Sequence, residues 1–186
     1  MSNLTQSVLV RWLVAVIGFP VGGFLGYLVA GSADTVPAAL ISGAIAGAII
    51  GLAQGFALSL PPRALATWAA ATGIGLAVAL GAVTAAIGQI STTTEAVALG
   101  AISGLVLGAG QAVVLQRQGL ANGWLLVPAS AVAWAAGWFV TTGIGVALAT
   151  GWPVYGLSGA IASQVITGLV IWRLVTARPP QGATAA

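Results

Sequence analysis

Residues 51–68 read GLAQGFALSLPPRALATW, placing a glutamine, an arginine and a tryptophan in a chain that is 59% hydrophobic and 4% charged. Soluble domains carry about 25% charged residues, so this chain lacks the charge to solvate a globular surface. On either side of the phrase, apolar runs near twenty residues long recur, the length at which a helix crosses a bilayer core of about 30 Å. The arginine and the two prolines therefore mark a point where the chain leaves the membrane. The expected fold is all-α, a single polytopic membrane domain over residues 1–186.

Hydropathy places the segments near 11–31, 37–60, 66–90, 95–117, 124–150 and 153–175. Between them lie Gly31 to Thr35 before Pro37, Pro61-Pro62, Ser91 to Thr94, Gly119 to Gly123, and Gly151-Trp152-Pro153, all turn-forming chemistry. The first run begins with Arg11 and stays apolar for about twenty residues, longer than the core of a secretory signal, and is read as a membrane-spanning helix. With six spans, Arg11, Arg63, Arg117, Arg173 and Arg178 all fall on one side, and Asp34 and Glu95 on the other. Because basic loops stay in the cytoplasm, both termini are expected inside, with 176–186 as a short cytoplasmic tail. The two carboxylates open the second and fourth helices, where they and the flanking Thr35 or Thr94 would cap free N–H groups.

The same phrase returns as GAGQAVVLQRQGLANGW, residues 108–124. A shift of 57 positions lays Gly43, Ala44, Ile45, Gly47, Gly51, Gln54 and Leu58 on Gly100, Ala101, Ile102, Gly104, Gly108, Gln111 and Leu115. A shift of 116 lays Ser42 to Ala46 on Ser158 to Ala162 but brings Val170 to the place of Gln54. TGIGLAVA at 72–79 likewise matches TGIGVALA at 142–149. Three helical hairpins, near 11–60, 66–117 and 124–175, are therefore expected, the third altered at the glutamine. Glycine makes up 27 of 186 residues, and small residues recur every fourth position in each helix, as in Gly43, Gly47, Gly51, Gly55. Such glycine-zipper stripes let helix backbones approach closely where no hydrophobic force distinguishes helix from lipid. They also offer a flat face to a partner subunit, a lipid or a pigment.

The motif carried by Gly51, Gln54, Leu58, Arg63 and Trp68, and again by Gly108, Gln111, Leu115, Arg117 and Trp124, resembles a group of small bacterial multi-pass membrane proteins built from such hairpins. In the first copy Ser59-Leu60-Pro61-Pro62 intervenes where that group has Arg directly after Leu. The resemblance implies a bacterial inner membrane location and carries no established activity. The six-span plan is also similar to substrate-binding subunits of vitamin uptake systems, and three hairpins to mitochondrial carriers. The carriers' Pro-x-Asp/Glu-x-x-Lys/Arg signature is missing here.

The inventory excludes much chemistry. There is no Cys and no His, and all five basic residues are Arg. Thiolate and histidine metal sites, Ser–His hydrolysis and Schiff-base cofactors thus lack their residues. An enzyme is not expected, nor is nucleic-acid binding, since five scattered arginines form no basic patch. Candidate ligand-binding residues are Gln54 and Gln111, about 9 Å or more inside the arginine level at 1.5 Å rise per residue, and Gln164 with Ser163 and Thr167 on one face of the last helix. Thr72, Thr84, Thr141 and Thr142 would meet Gln164, Ser163 and Thr167 in a small neutral pocket. Alternatively the amides staple helices together, and the hydroxyls bond back to their own helix carbonyls. Trp68 and Trp124 are expected at the interface. Trp134 and Trp138 either mark where the fifth helix enters the membrane, after residues 124–132 lie along its surface, or face a partner protein or bound apolar ligand. Three functions follow: an accessory subunit of a larger membrane complex, a small transporter component, or a channel for a neutral solute.

Overall fold

The computed structural model describes residues 3–88, 90–120, 122–145 and 157–177. Among these there is no strand. Six helices are long and apolar enough to cross a membrane: Val8–Ala30, Val36–Ala57, Pro62–Ile87, Thr93–Arg117, Gly123–Gly143 and Leu157–Thr176. This is the fold of an integral membrane protein. The first span is α1 (Asn3–Val14) and α2 (Gly18–Ala30), joined by a 3-10 turn at Ala15–Ile17. Pro20 explains that turn, because its ring excludes the carbonyl of Val16 four residues back and it has no N–H to give. The remaining spans are α3 (Val36–Ala57), α4 (Pro62–Ile87), α5 (Thr93–Arg117), α6 (Leu126–Gly143, entered through a 3-10 turn at Gly123–Leu125) and α7 (Leu157–Thr176).

Local chemistry sets the ends. Thr35 accepts from Ala38 N at 3.4 Å and opens α3. Thr92, not the expected Thr94, opens α5: its hydroxyl accepts from Glu95 N at 3.2 Å, and Glu95 accepts in return from Thr92 N at 2.9 Å. This reciprocal capping box accounts for Glu95, with Ser91 N a further donor at 2.9 Å. Pro62 is the first residue of α4 rather than part of a break, as suits a proline whose missing N–H would be unpaired there anyway. Gly31 and Gly88 end α2 and α4, both at φ 71, a backbone that side-chain-bearing residues avoid. The fifth segment is shorter than expected and starts earlier. The helical stretch runs without a break from Gly123 to Gly143, so residues 124–132 are continuous with the part that holds Trp134, which lies near its middle. The expected turn at Gly151-Trp152-Pro153, the last residues of the expected fifth segment, Arg178 and most of the tail lie outside the described residues.

Each span packs on the next, and α1 packs on α7, so the six close into a ring in chain order. The α3–α4 and α5–α6 pairs are the most intimate. A methyl group at Gly43, Gly47 or Gly51 would come within 3 Å of the backbone of Ala77, Thr72 or Ala69 on α4. At Gly100, Gly104 or Gly108 it would do the same to Trp134, Ser130 or Leu126 on α6. Gly22 and Gly26 lie as tightly on Ala46 and Ser42 of α3. Two apolar layers fill the interior. One contains Trp12, Ala64, Trp68, Leu115, Leu120, Leu126, Ile171 and Leu174, and since these neighbour Arg11, Arg63, Arg117 and Arg173 it gathers all four arginines at one end. The other, at mid-span, is Ala46, Ile50, Leu76 and Leu107 with Phe19, Leu80 and Trp134 against them. Outside, residues such as Leu28, Val29, Phe56, Ile74 and Phe139 are well exposed, an apolar surface suited to contact with lipid.

Candidate functional site: a glutamine chain at the centre of the ring

Between the two apolar layers lies a polar one. Gln54 is positioned by α3 between Ile50 of the mid-span layer and Ala57 of the arginine-end layer. Gln111 stands likewise on α5 between Leu107 and Val114. Gln164 comes from α7. Their exposures are 5%, 6% and 1%, so the three amides are withdrawn from lipid and each needs a partner. They find one another. Gln111 Nε2 donates to Gln54 Oε1 at 3.1 Å, and Gln54 Nε2 donates to Gln164 Oε1 at 2.9 Å. Gln164 Nε2 then donates to the Trp12 carbonyl at 2.6 Å.

The remaining spans are drawn in from the sides. Gln111 Nε2 also donates to Thr72 Oγ1 on α4 at 3.1 Å, and the Thr72 hydroxyl donates in turn to Trp68 O at 2.8 Å. Trp12 returns a bond to α7, its indole N–H lying 3.1 Å from Gln164 O and 3.2 Å from Thr167 Oγ1. Thr167 donates to Ser163 O at 2.7 Å, and Ser163 donates across to Ala133 O on α6 at 2.8 Å. Every span thus contributes at least one atom to a network without a charge in it. Such interhelical bonds average about 0.6 kcal/mol in membrane proteins and reach about 1.7, so the seven named here together hold a bundle noticeably but individually weakly.

The structure brings together Gln54, Gln111, Gln164, Ser163, Thr167 and Thr72. It leaves out Thr84, which is twelve residues further along α4, about 18 Å at the helical rise. Thr141 lies apart with its hydroxyl 3.5 Å from Ser158, and Thr142 bonds back to Trp138 O at 3.0 Å. Trp134 turns into the bundle, its ring 5.7 Å from that of Phe19 on the opposite side, and Trp138 leans over Gly100 of α5. Both rings are engaged within the chain. Trp124 is half exposed as expected of an interfacial residue, but Trp68 is wholly buried, its ring edge-on to Trp12 at 6.5 Å. The correction follows from position: Trp68 is two turns into α4, on the face that α3 covers.

Trp12 is the residue that sequence reasoning missed. Its signal was available, since Trp12, Trp68 and Trp124 recur at intervals of 56 residues. Trp68 Nε1 and Ser103 Oγ are buried with no hydrogen-bond partner among the described residues. Each such orphan costs about 1–3 kcal/mol. Chemically the layer offers neutral donors and acceptors already spent on each other, and among the described residues no group of three or more carboxylates could hold a metal ion. Comparison with protein-family models, with characterised proteins and with solved structures finds no match for this chain.

Proposed function

We propose that the protein is a non-enzymatic integral membrane protein that serves as a structural or accessory subunit within a larger membrane complex. One observation carries this reading: the three buried glutamines are spent on each other, on Thr72 and on Trp12, leaving little free chemistry for recognising a solute. The small-residue stripes are read as glycine zippers that bind the chain to itself, since their glycines already lie on neighbouring backbones. A partner would then meet the apolar exterior.

The proposal includes the internal repeat. Its support is that the contact pairs obey the same shift as the sequence. Gly43 on Ala77, Gly47 beside Gly73 and Gly51 on Ala69 become, 57 positions later, Gly100 on Trp134, Gly104 on Ser130 and Gly108 on Leu126. The third hairpin meets the network through Gln164, six residues before the aligned Val170. With the arginines gathered at one end and Asp34 and Glu95 at the other, both termini are assigned to the cytoplasm, in a bacterial inner membrane.

The test is native mass spectrometry of the full chain extracted from its membrane in mild detergent, with an absorbance spectrum of the same sample. A stoichiometric heavier complex supports the reading and identifies the partner, while a retained pigment would appear in the spectrum. A bare monomer overturns it. The second reading, a small transporter component or a channel for a neutral solute, is favoured by the meeting of three amides at the ring's centre. It requires solute flux in liposomes that Gln164→Leu changes.

A further inference from the structure

The glycines divide the ring in two. Among those whose surroundings are described, each one that would bring a methyl group within 3 Å of a neighbouring span's backbone does so inside one of two groups of three spans. Gly22 on Ala46 and Gly47 on Thr72 join the first three spans, α1/α2, α3 and α4. Gly104 on Ser130 and Gly159 on Gly137 join the last three, α5, α6 and α7. The two seams between the groups are made differently. At α4–α5, a methyl on Gly75 or Gly110 first meets Leu107 Cδ2 or Ala71 Cβ, both at 3.1 Å, and at α1–α7 one on Gly168 first meets Trp12 Cδ1 at 2.8 Å. All three are side-chain atoms. The polar layer is what crosses between the groups. Gln111 donates to Gln54 and Thr72, Gln54 to Gln164, Gln164 to the Trp12 carbonyl, and the Trp12 indole to Gln164 O and Thr167, and each of these bonds has one partner in either group. On the arginine side of the layer a cavity of about 200 Å³ lies between the groups, with Val8, Leu58 and Leu60 from one and Leu115, Ile171 and Leu174 from the other. On the opposite side Phe19 of the first group meets Trp134 of the second, ring centres 5.7 Å apart.

We infer that the chain is built as two rigid three-span halves that rock against each other, with the amide chain as the releasable contact between them. Glycine laid on backbone holds each half together, because backbone atoms have no rotamer to change and the helices can only separate as wholes. The seams yield more easily, since side chains re-pack and interhelical bonds in membranes are individually weak. Packed bundles then move as bodies, one against the other, about the contact they share. The cavity is the space between the halves where they stand apart at the arginine end. Rocking the other way closes it and parts Phe19 from Trp134. Such a joint serves an accessory subunit that follows its partner's movement as well as a transporter component, so it stands apart from the choice between them.

The experiment is double electron–electron resonance on the full-length chain in lipid nanodiscs, with spin labels on cysteine pairs introduced at exposed positions of a chain that has none of its own. Thr67→Cys on α4 with Thr176→Cys on α7 spans the halves. Phe56→Cys with Thr67→Cys lies within the first half, and Val113→Cys with Thr176→Cys within the second. The pair across the halves is expected to show two distances, and each pair within a half one narrow distance. Gln54→Leu removes two crossing bonds and is expected to raise the share of the second distance, relative to the one in this structure, about sevenfold at the average strength of such bonds. Thr72→Val, a milder change, removes one and is expected to raise it about threefold. A distribution across the halves that neither variant changes overturns the inference. So does broadening of the pairs within a half that equals the broadening across them.

Discussion

Gln54 is the hinge of the polar layer because it alone of the three glutamines bonds to both others, accepting from Gln111 and donating to Gln164. Replacing it by leucine leaves Gln164 Oε1 without its donor, whereas Gln111 keeps Thr72. The expected cost is about 1–2 kcal/mol, between the average interhelical bond and the penalty for an orphaned buried amide. Gln164→Leu strands the Gln54 amide, takes one donor from the Trp12 carbonyl and should cost as much. Together the two changes should cost less than their sum by at least about 0.5 kcal/mol, since the second removes a group the first already stranded. Unfolding of the four proteins of this cycle in detergent or bicelles measures the difference, and strict additivity would show that the two amides do not share a bond. At this scale the sequence was readable in part. Gln54 and Gln111 stood out as amides in apolar helices, so a need for partners was visible. That they meet Gln164 was not, because the alignment put Val170 opposite them and only the packing of α7 against α1 moves Gln164 into reach.

The tightest helix contacts belong to glycines, and the packing ranks them. At Gly104 a methyl group would collide with the carbonyl of Ser130, a backbone atom that cannot rotate away, so α5 and α6 would have to separate. Gly143, the last residue of α6, has nothing within 4 Å of the same position. Gly104→Ala is therefore expected to destabilise by more than about 2 kcal/mol, in the upper range for overpacking, whereas Gly143→Ala should stay within about 0.5 kcal/mol, as for changes at exposed sites. Melting temperatures of the purified variants would test the ranking. Equal effects would mean that α5 and α6 are not held by this close approach. Helices were the most legible level of the chain, since twenty-residue apolar runs admit one reading. Their ends were less so. A proline both breaks and begins helices, and Pro62 begins one; Thr92, Thr93 and Thr94 are equivalent as letters, and only Glu95's reach of three residues selects Thr92. The fifth span was overextended because Ile144 onward remains apolar, while Gly145 at φ 83 turns the chain out of the helix.

For the molecule as a whole, the ring places charge asymmetrically along its axis, and that asymmetry dictates orientation. Arg11, Arg63, Arg117 and Arg173 surround one apolar layer, and Asp34, in the loop before α3, and Glu95, in the first turn of α5, lie at the other end. Arginine near the span ends resists translocation, whereas carboxylates contribute little, so the arginine end should remain in the cytoplasm. The chain contains no cysteine, which makes the question directly measurable. Single substitutions Ser32→Cys, in the loop before α3, and Asn122→Cys and Ala177→Cys, at the other end, introduce one thiol each at exposed positions. A membrane-impermeant maleimide added to intact spheroplasts should label Ser32→Cys alone. After permeabilisation it should label all three, which controls for reactivity. The opposite pattern would place the termini outside. Labelling of Asn122→Cys without Ala177→Cys would break the six-span count, because an even number of crossings keeps those two positions on one side.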